Sequence, residues 1–230
     1  MKDKTRFLLL LIGDGLTSIS VLLGTLFIFL DVRFMVNIQR LAQAPYLWTF
    51  TGLSNVFIGL VAFASVIFRL IKRDASSMHL LAMLKLVGAT LISITVLVTL
   101  TYLPISLGAD AWKLFINGSF FNHITSPILF LVTFLVFEPR LPFTWRSPFA
   151  TLLPLGGYMV FYVTNVLLHR GPSGQVDLYY DIYGFFRAGI WLLPLLLIGF
   201  LGIAWGLGFL YVKLNQRKKA PEEAPDSAKA

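Results

Sequence analysis

Apolar residues are gathered along this chain into six long blocks, at about 7–30, 47–71, 80–103, 120–138, 150–168 and 185–212. Within each block they run almost without interruption. Neither the three-to-four-residue rhythm of a soluble amphipathic helix nor the alternation of a barrel strand is present. A helix needs roughly 20 apolar residues to cross about 30 Å of hydrocarbon, and lipid offers no partner to an unpaired backbone N–H or C=O. The pattern therefore predicts an all-α, polytopic integral membrane protein: one bundle of six transmembrane helices over residues 1–212, with a mixed basic and acidic tail at 213–230. The tail carries no apolar periodicity and is expected to be disordered. The first block follows Lys2, Lys4 and Arg6, but it is too long for a signal peptide and has no small-residue cleavage site, so it is read as a mature helix.

Composition agrees, with 57% hydrophobic residues, 13% charged residues and a mean hydropathy of +0.79. The distribution of Lys and Arg sets an expected orientation. Thirteen lie on the side of the two termini and five (Arg33, Arg40, Lys113, Arg170, Arg187) on the other. Short loops rich in these residues stay in the cytoplasm, so both termini are expected there. The net charge of +8 then reports topology and attraction to anionic headgroups, not nucleic-acid binding. The expected partners are membrane lipids, and the oligomeric state is open. With no cysteine, thiolate chemistry is excluded. His79, His123 and His169 have no helical ligand spacing, so neither a metal nor another cofactor is expected. No internal repeat suggests an inverted-repeat transporter.

Polar residues inside the blocks carry what functional signal there is, because each is unfavourable in lipid and is normally turned inward. They fall in two layers. In the inner layer Asp14 and Lys85 lie at matching depth and could pair across the bundle, as a structural ion pair or as part of a proton relay; the alternative is a snorkelling Lys85. In the outer layer Thr51 and Asn55 share one face of the second helix. His123, Thr125 and Ser126 open the fourth, His169 and Arg170 close the fifth, and Tyr179, Tyr180, Asp181, Tyr183 and Arg187 lead into the sixth. All reach a similar depth, so one pocket could collect them. A threonine hydroxyl becomes a nucleophile when a base such as imidazole takes its proton, which makes Thr51 and His123 a candidate pair. Asn55 could orient the base or donate to an oxyanion, with Ser126, His169, Tyr180, Asp181 and Arg187 as candidate substrate-binding groups. Equally, Thr and Asn on one face serve as interhelical hydrogen-bonding residues.

The string Phe50-Thr51-Gly52-Leu53-Ser54-Asn55 resembles the F-T-x-x-S-N signature of a bacterial six-span membrane family related to the eukaryotic androgen-induced proteins and the androgen-dependent TFPI-regulating protein. Asn122 to Leu129 resembles that family's H-x-x-S-P-I-L segment, and Glu138 to Trp145 is similar to the family's next stretch. Tyr158, Tyr162 and Arg170-Gly171 are similar to its fifth helix. The resemblance implies a bacterial plasma-membrane protein and an intramembrane hydrolase of fatty acid esters of hydroxy fatty acids, with Thr51 as nucleophile and His123 as histidine. Its substrate would be amphipathic, entering among Phe50, Phe57, Phe120 and Phe121. The eukaryotic asparagine stands at a different offset, so Thr49 stays a second candidate nucleophile. Two alternatives remain: a non-catalytic lipid or small-molecule binder or transporter, and an accessory membrane subunit without a site.

Overall fold

The structure, a computed structural model, describes residues 3–30, 46–72, 79–171, 176, 179–186 and 189–218. Arg187 and most of the tail lie outside the described residues. Among the described residues six helices are long and apolar enough to cross a membrane: α1 Asp3–Leu30, α2 Phe50–Lys72, α3 His79–Leu107, α4 Asn117–Phe137, α5 Leu152–Leu168 and α6 Leu193–Gln216. The chain is an integral membrane protein of the helical kind. An isolated bridge between Arg170 and Val176 is the only extended pairing among the described residues. Successive helices reverse direction, so the N-terminus of α1 and the C-terminus of α6 share one face of the bundle, termed the terminal face.

α3 is the most enclosed helix, and it is apolar around most of its circumference, as a helix with neighbours on several sides must be. Against α2 and α4 it buries Leu86, Ala89 and Ile92 on Ile58, Ala62, Phe130 and Phe134. Against α5 and α6 it buries Val87, Leu91 and Ile94 on Leu155, Met159 and Ala204. The outer faces carry Leu60, Leu153 and Ile198, which are 64%, 79% and 71% exposed and form the lipid-facing belt. Lipid is as apolar as leucine, so close contact and interhelical hydrogen bonds hold such helices together. α1 meets α4 where a Cβ on Gly24 would stand 2.9 Å from Phe121 Cβ and one on Gly118 would stand 2.9 Å from the Gly24 carbonyl oxygen. Only glycine admits that approach. Hydroxyl pairs stitch the interfaces: Ser20 with Ser126 at 2.8 Å, Ser54 with Thr95 at 2.8 Å and Ser93 with Tyr211.

Two features differ from the sequence pattern. α4 begins at Asn117 and contains two π-helical turns, Phe121–Thr125 and Thr133–Phe137. Pro127 explains the first, because it lacks the N–H that would bond four residues back and its ring crowds that carbonyl; the Ser126 N–H instead reaches Phe121 O. Such turns re-aim the side chains they contain, here Asn122 and His123. α6 begins at Leu193, later than the apolar run from 185 implies. Asp181 draws in the Phe186 N–H with its carboxylate at 3.1 Å and the Gly184 N–H with its carbonyl at 2.9 Å. Gly184 and Gly189 take φ of 71° and 108°, a region open to glycine. The segment 179–186 thus folds into turns against the end of the bundle.

Candidate functional site

In the half of the bundle toward the terminal face, Asp14 of α1 and Lys85 of α3 meet, with Lys85 Nζ 2.7 Å from Asp14 Oδ2. Two residues outside the sequence-derived set join them. Glu138, directly after α4, places Oε1 2.5 Å from Lys85 Nζ, and Arg69 of α2 places Nη2 2.6 Å from the same oxygen. Arg69 Nε lies 3.6 Å from Asp14 Oδ2. Four elements therefore contribute two acids and two bases, with side chains at most 10% exposed. The formal charges cancel, which is what burial away from water requires. Glu138 Oε2 keeps no partner in this network.

The opposite half holds the outer-layer candidates. α2 starts there, and its first N–H groups need acceptors. Thr49 supplies one: its hydroxyl accepts from the Gly52 N–H at 2.9 Å and donates to Tyr46 O at 2.7 Å, an N-cap arrangement. The Tyr183 hydroxyl supplies another, accepting from the Phe50 N–H at 2.7 Å. The Thr49 hydroxyl proton is therefore engaged, together with one of the oxygen's two lone pairs. Thr51 meets the same Tyr183 hydroxyl, with which it interacts through both side chain and backbone. Together they line a cavity of about 30 Å³ whose remaining walls include the aromatic Tyr158, Phe185 and Phe200 and the aliphatic Ile94 and Leu155.

No family model, curated protein or solved structure matches the chain. What the site can do chemically rests on its own geometry. Asn55 is fully buried and bridges helices: its Nδ2 donates to Thr51 O at 2.9 Å and to Asn122 O at 3.0 Å. His123, the next residue along α4, is 8% exposed, with Nδ1 3.0 Å from Ser119 O and a second backbone contact to Leu114. Among the described residues no hydrogen bond joins His123 to Thr51, and His123 is not in the wall of the Thr51 cavity. Ser126 is committed to Ser20 of α1.

The remaining candidates gather around the 179–186 segment. Asp181 is 2% exposed; it accepts from the Tyr162 hydroxyl and the Phe186 N–H and so pins that segment to α5. His169 is exposed and stacks on Tyr180 with ring centroids 3.6 Å apart. Neither residue lines the cavity. Tyr183 is wedged between Tyr162 and Phe185, and its carbonyl accepts from the Tyr102 hydroxyl. Burial pushes the Tyr183 phenol above its ordinary value of 10.0, so it stays neutral. No group of three or more His, Asp and Glu side chains that could hold a metal occurs among the described residues.

Proposed function

We propose that this chain lies in a bacterial plasma membrane with both termini in the cytoplasm, and that its Thr51 site takes a lipid-like ester from the outer leaflet and hydrolyses it. The orientation rests on the thirteen-to-five division of Lys and Arg between the two faces. The chemistry rests on one observation: Thr51 stands in the wall of a small cavity lined by the phenol-bearing Tyr158 and Tyr183 and by apolar residues such as Ile94, Leu155 and Phe200. A carbonyl group needs polar partners and the chain attached to it needs apolar ones, so this lining suits an acyl ester. A cavity of about 30 Å³ has room for the acyl head alone; the chains would extend past Phe185 or Phe200 into the bundle wall.

In this reading Thr51 Oγ1 attacks the acyl carbon and its proton passes to His123. The leaving alcohol takes that proton, and water then releases the acid from the threonine ester. His123 would have to turn from Ser119 O toward α2 to do this. The seating of His123 favours a second reading, in which the same cavity binds an amphipathic lipid without cleaving it. The resemblance to the androgen-induced family supports the catalytic one.

The two are separated by reconstituting the purified protein in lipid nanodiscs with a fatty acid ester of a hydroxy fatty acid and following released fatty acid by mass spectrometry. The hydrolytic reading expects release by the wild type and none by Thr51→Ala or His123→Ala. Retention of the ester without release supports binding alone. Release that survives Thr51→Ala contradicts the assignment of the site.

A further inference from the structure

We propose that the Tyr183 phenol is the hydrogen-bond donor that receives the carbonyl oxygen of an acyl group bound beside Thr51, a proposal that rests on the reading that such a group docks there. Developing charge on a carbonyl oxygen needs a preorganised N–H or O–H at about 3 Å. The first turn of α2 would be the ordinary source, but its donors are committed. The Phe50 N–H goes to Tyr183, which the Thr51 backbone meets as well, the Gly52 N–H to the Thr49 hydroxyl and the Leu53 N–H to Thr49 O. Asn55, the residue that the sequence favours for this role, has both protons of its amide engaged by Thr51 O and Asn122 O. The Thr95 hydroxyl pairs with Ser54.

Tyr183 differs. Its oxygen accepts from the Phe50 N–H, and its hydroxyl also meets the hydroxyls of Thr51 and Tyr158 beside the cavity. The neighbouring Tyr158 hydroxyl donates to Trp48 O at 3.1 Å, so of these two phenols it is Tyr183 whose proton, engaged at rest with the hydroxyls beside it, can pass to an oxygen in the cavity. The ring is held from both sides and the backbone is held by Tyr102 and by the Asp181 turn, so little reorganisation is needed. Burial, which keeps the phenol neutral, makes it a donor and unsuits it as the base.

When Thr51 Oγ1 bonds to the acyl carbon, the carbonyl π pair moves onto the oxygen facing Tyr183. The threonine proton goes to His123. As the tetrahedral adduct collapses, the carbonyl reforms, the bond to the leaving alkoxide breaks and the alkoxide takes the proton from His123. Tyr183 keeps its proton throughout and shortens one hydrogen bond in the adduct.

The test uses Thr51→Ala protein in nanodiscs, which cannot turn the ester over, loaded with a hydroxy-fatty-acid ester carrying ¹³C at the ester carbonyl. Isotope-edited infrared spectroscopy should show a protein-dependent carbonyl band shifted to lower frequency than in empty nanodiscs. In Thr51→Ala/Tyr183→Phe, which keeps the ring, that shift should be lost. A shift that survives the loss of the hydroxyl overturns the proposal while leaving acyl binding intact. Absence of any protein-dependent band overturns both the proposal and the reading beneath it. Should the double variant fail to fold, 3-fluorotyrosine at position 183 keeps every contact and is the stronger donor. The shift should then deepen, and an unchanged shift overturns the proposal.

Discussion

Lys85 Nζ stands 2.9 and 2.7 Å from the two carboxylate oxygens of Asp14, with both side chains out of reach of solvent. The pair ties α1 to α3 and sits inside a neutral network completed by Arg69 and Glu138. Replacing Lys85 by Met leaves two buried carboxylates facing only Arg69. An uncompensated buried charge costs about 3–5 kcal/mol. Chemical unfolding of the purified protein in detergent should show a loss of that order for Lys85→Met. Adding Asp14→Asn, which removes the stranded charge, should restore a substantial part of it. If the double variant is as damaged as the sum of the two single ones, the residues do not act as a pair.

The approach of α1 to α4 depends on the absence of a side chain at Gly24, where a Cβ would already stand 2.8 Å from Asn122 Oδ1. Gly24→Leu should separate the helices and lower stability by about 1–3 kcal/mol. Gly199→Ala on α6 meets nothing within 4 Å and should be close to neutral, both variants being compared with wild type by chemical unfolding in detergent.

Lys218, just past α6, donates to Glu138 O at 2.7 Å. Burial is the largest influence on its ammonium and lowers its pKa from 10.5; the Glu138 charge opposes this and Arg6 adds to it. The unfolded chain therefore holds more protons than the folded one between the lowered value and 10.5, and stability contributed by this residue rises with pH across that interval. The unfolding midpoint of the wild type, relative to Lys218→Met, should climb as pH is raised toward 10.5. A relative decline would reverse the sign of the assignment.

The six crossings are legible in the sequence because length and apolarity alone decide them. The encounter of Asp14 with Lys85 is legible because matched depth in a membrane is read by counting residues. Depth does not give rotation about a helix axis, and there the sequence is silent. His123 and Thr51 reach a similar depth, yet the π-helical turn enforced by Pro127 sets the direction of His123, and its ring meets Ser119 O. Arg69 and Glu138 stand at the ends of their spans, where a charge ordinarily reaches the headgroups, so only the folded bundle brings them into the network. Thr49 and Thr51 both look like nucleophile candidates along the chain. They part company when the N-cap geometry engages the first and the cavity receives the second. The sequence places Tyr183 in the outer layer but gives it no role, because its bond to Phe50 joins positions 133 residues apart.

Whether Thr51 is the reactive group of an intramembrane site decides between hydrolysis and binding alone. Incubating the purified protein with a serine- and threonine-directed fluorophosphonate probe, followed by peptide mapping, asks this of the residue itself. One labelled residue is expected, Thr51, with labelling lost in both Thr51→Ala and His123→Ala. A well-folded wild type that takes no label, or takes it at Thr49 or elsewhere, would refute the assignment of Thr51 as nucleophile.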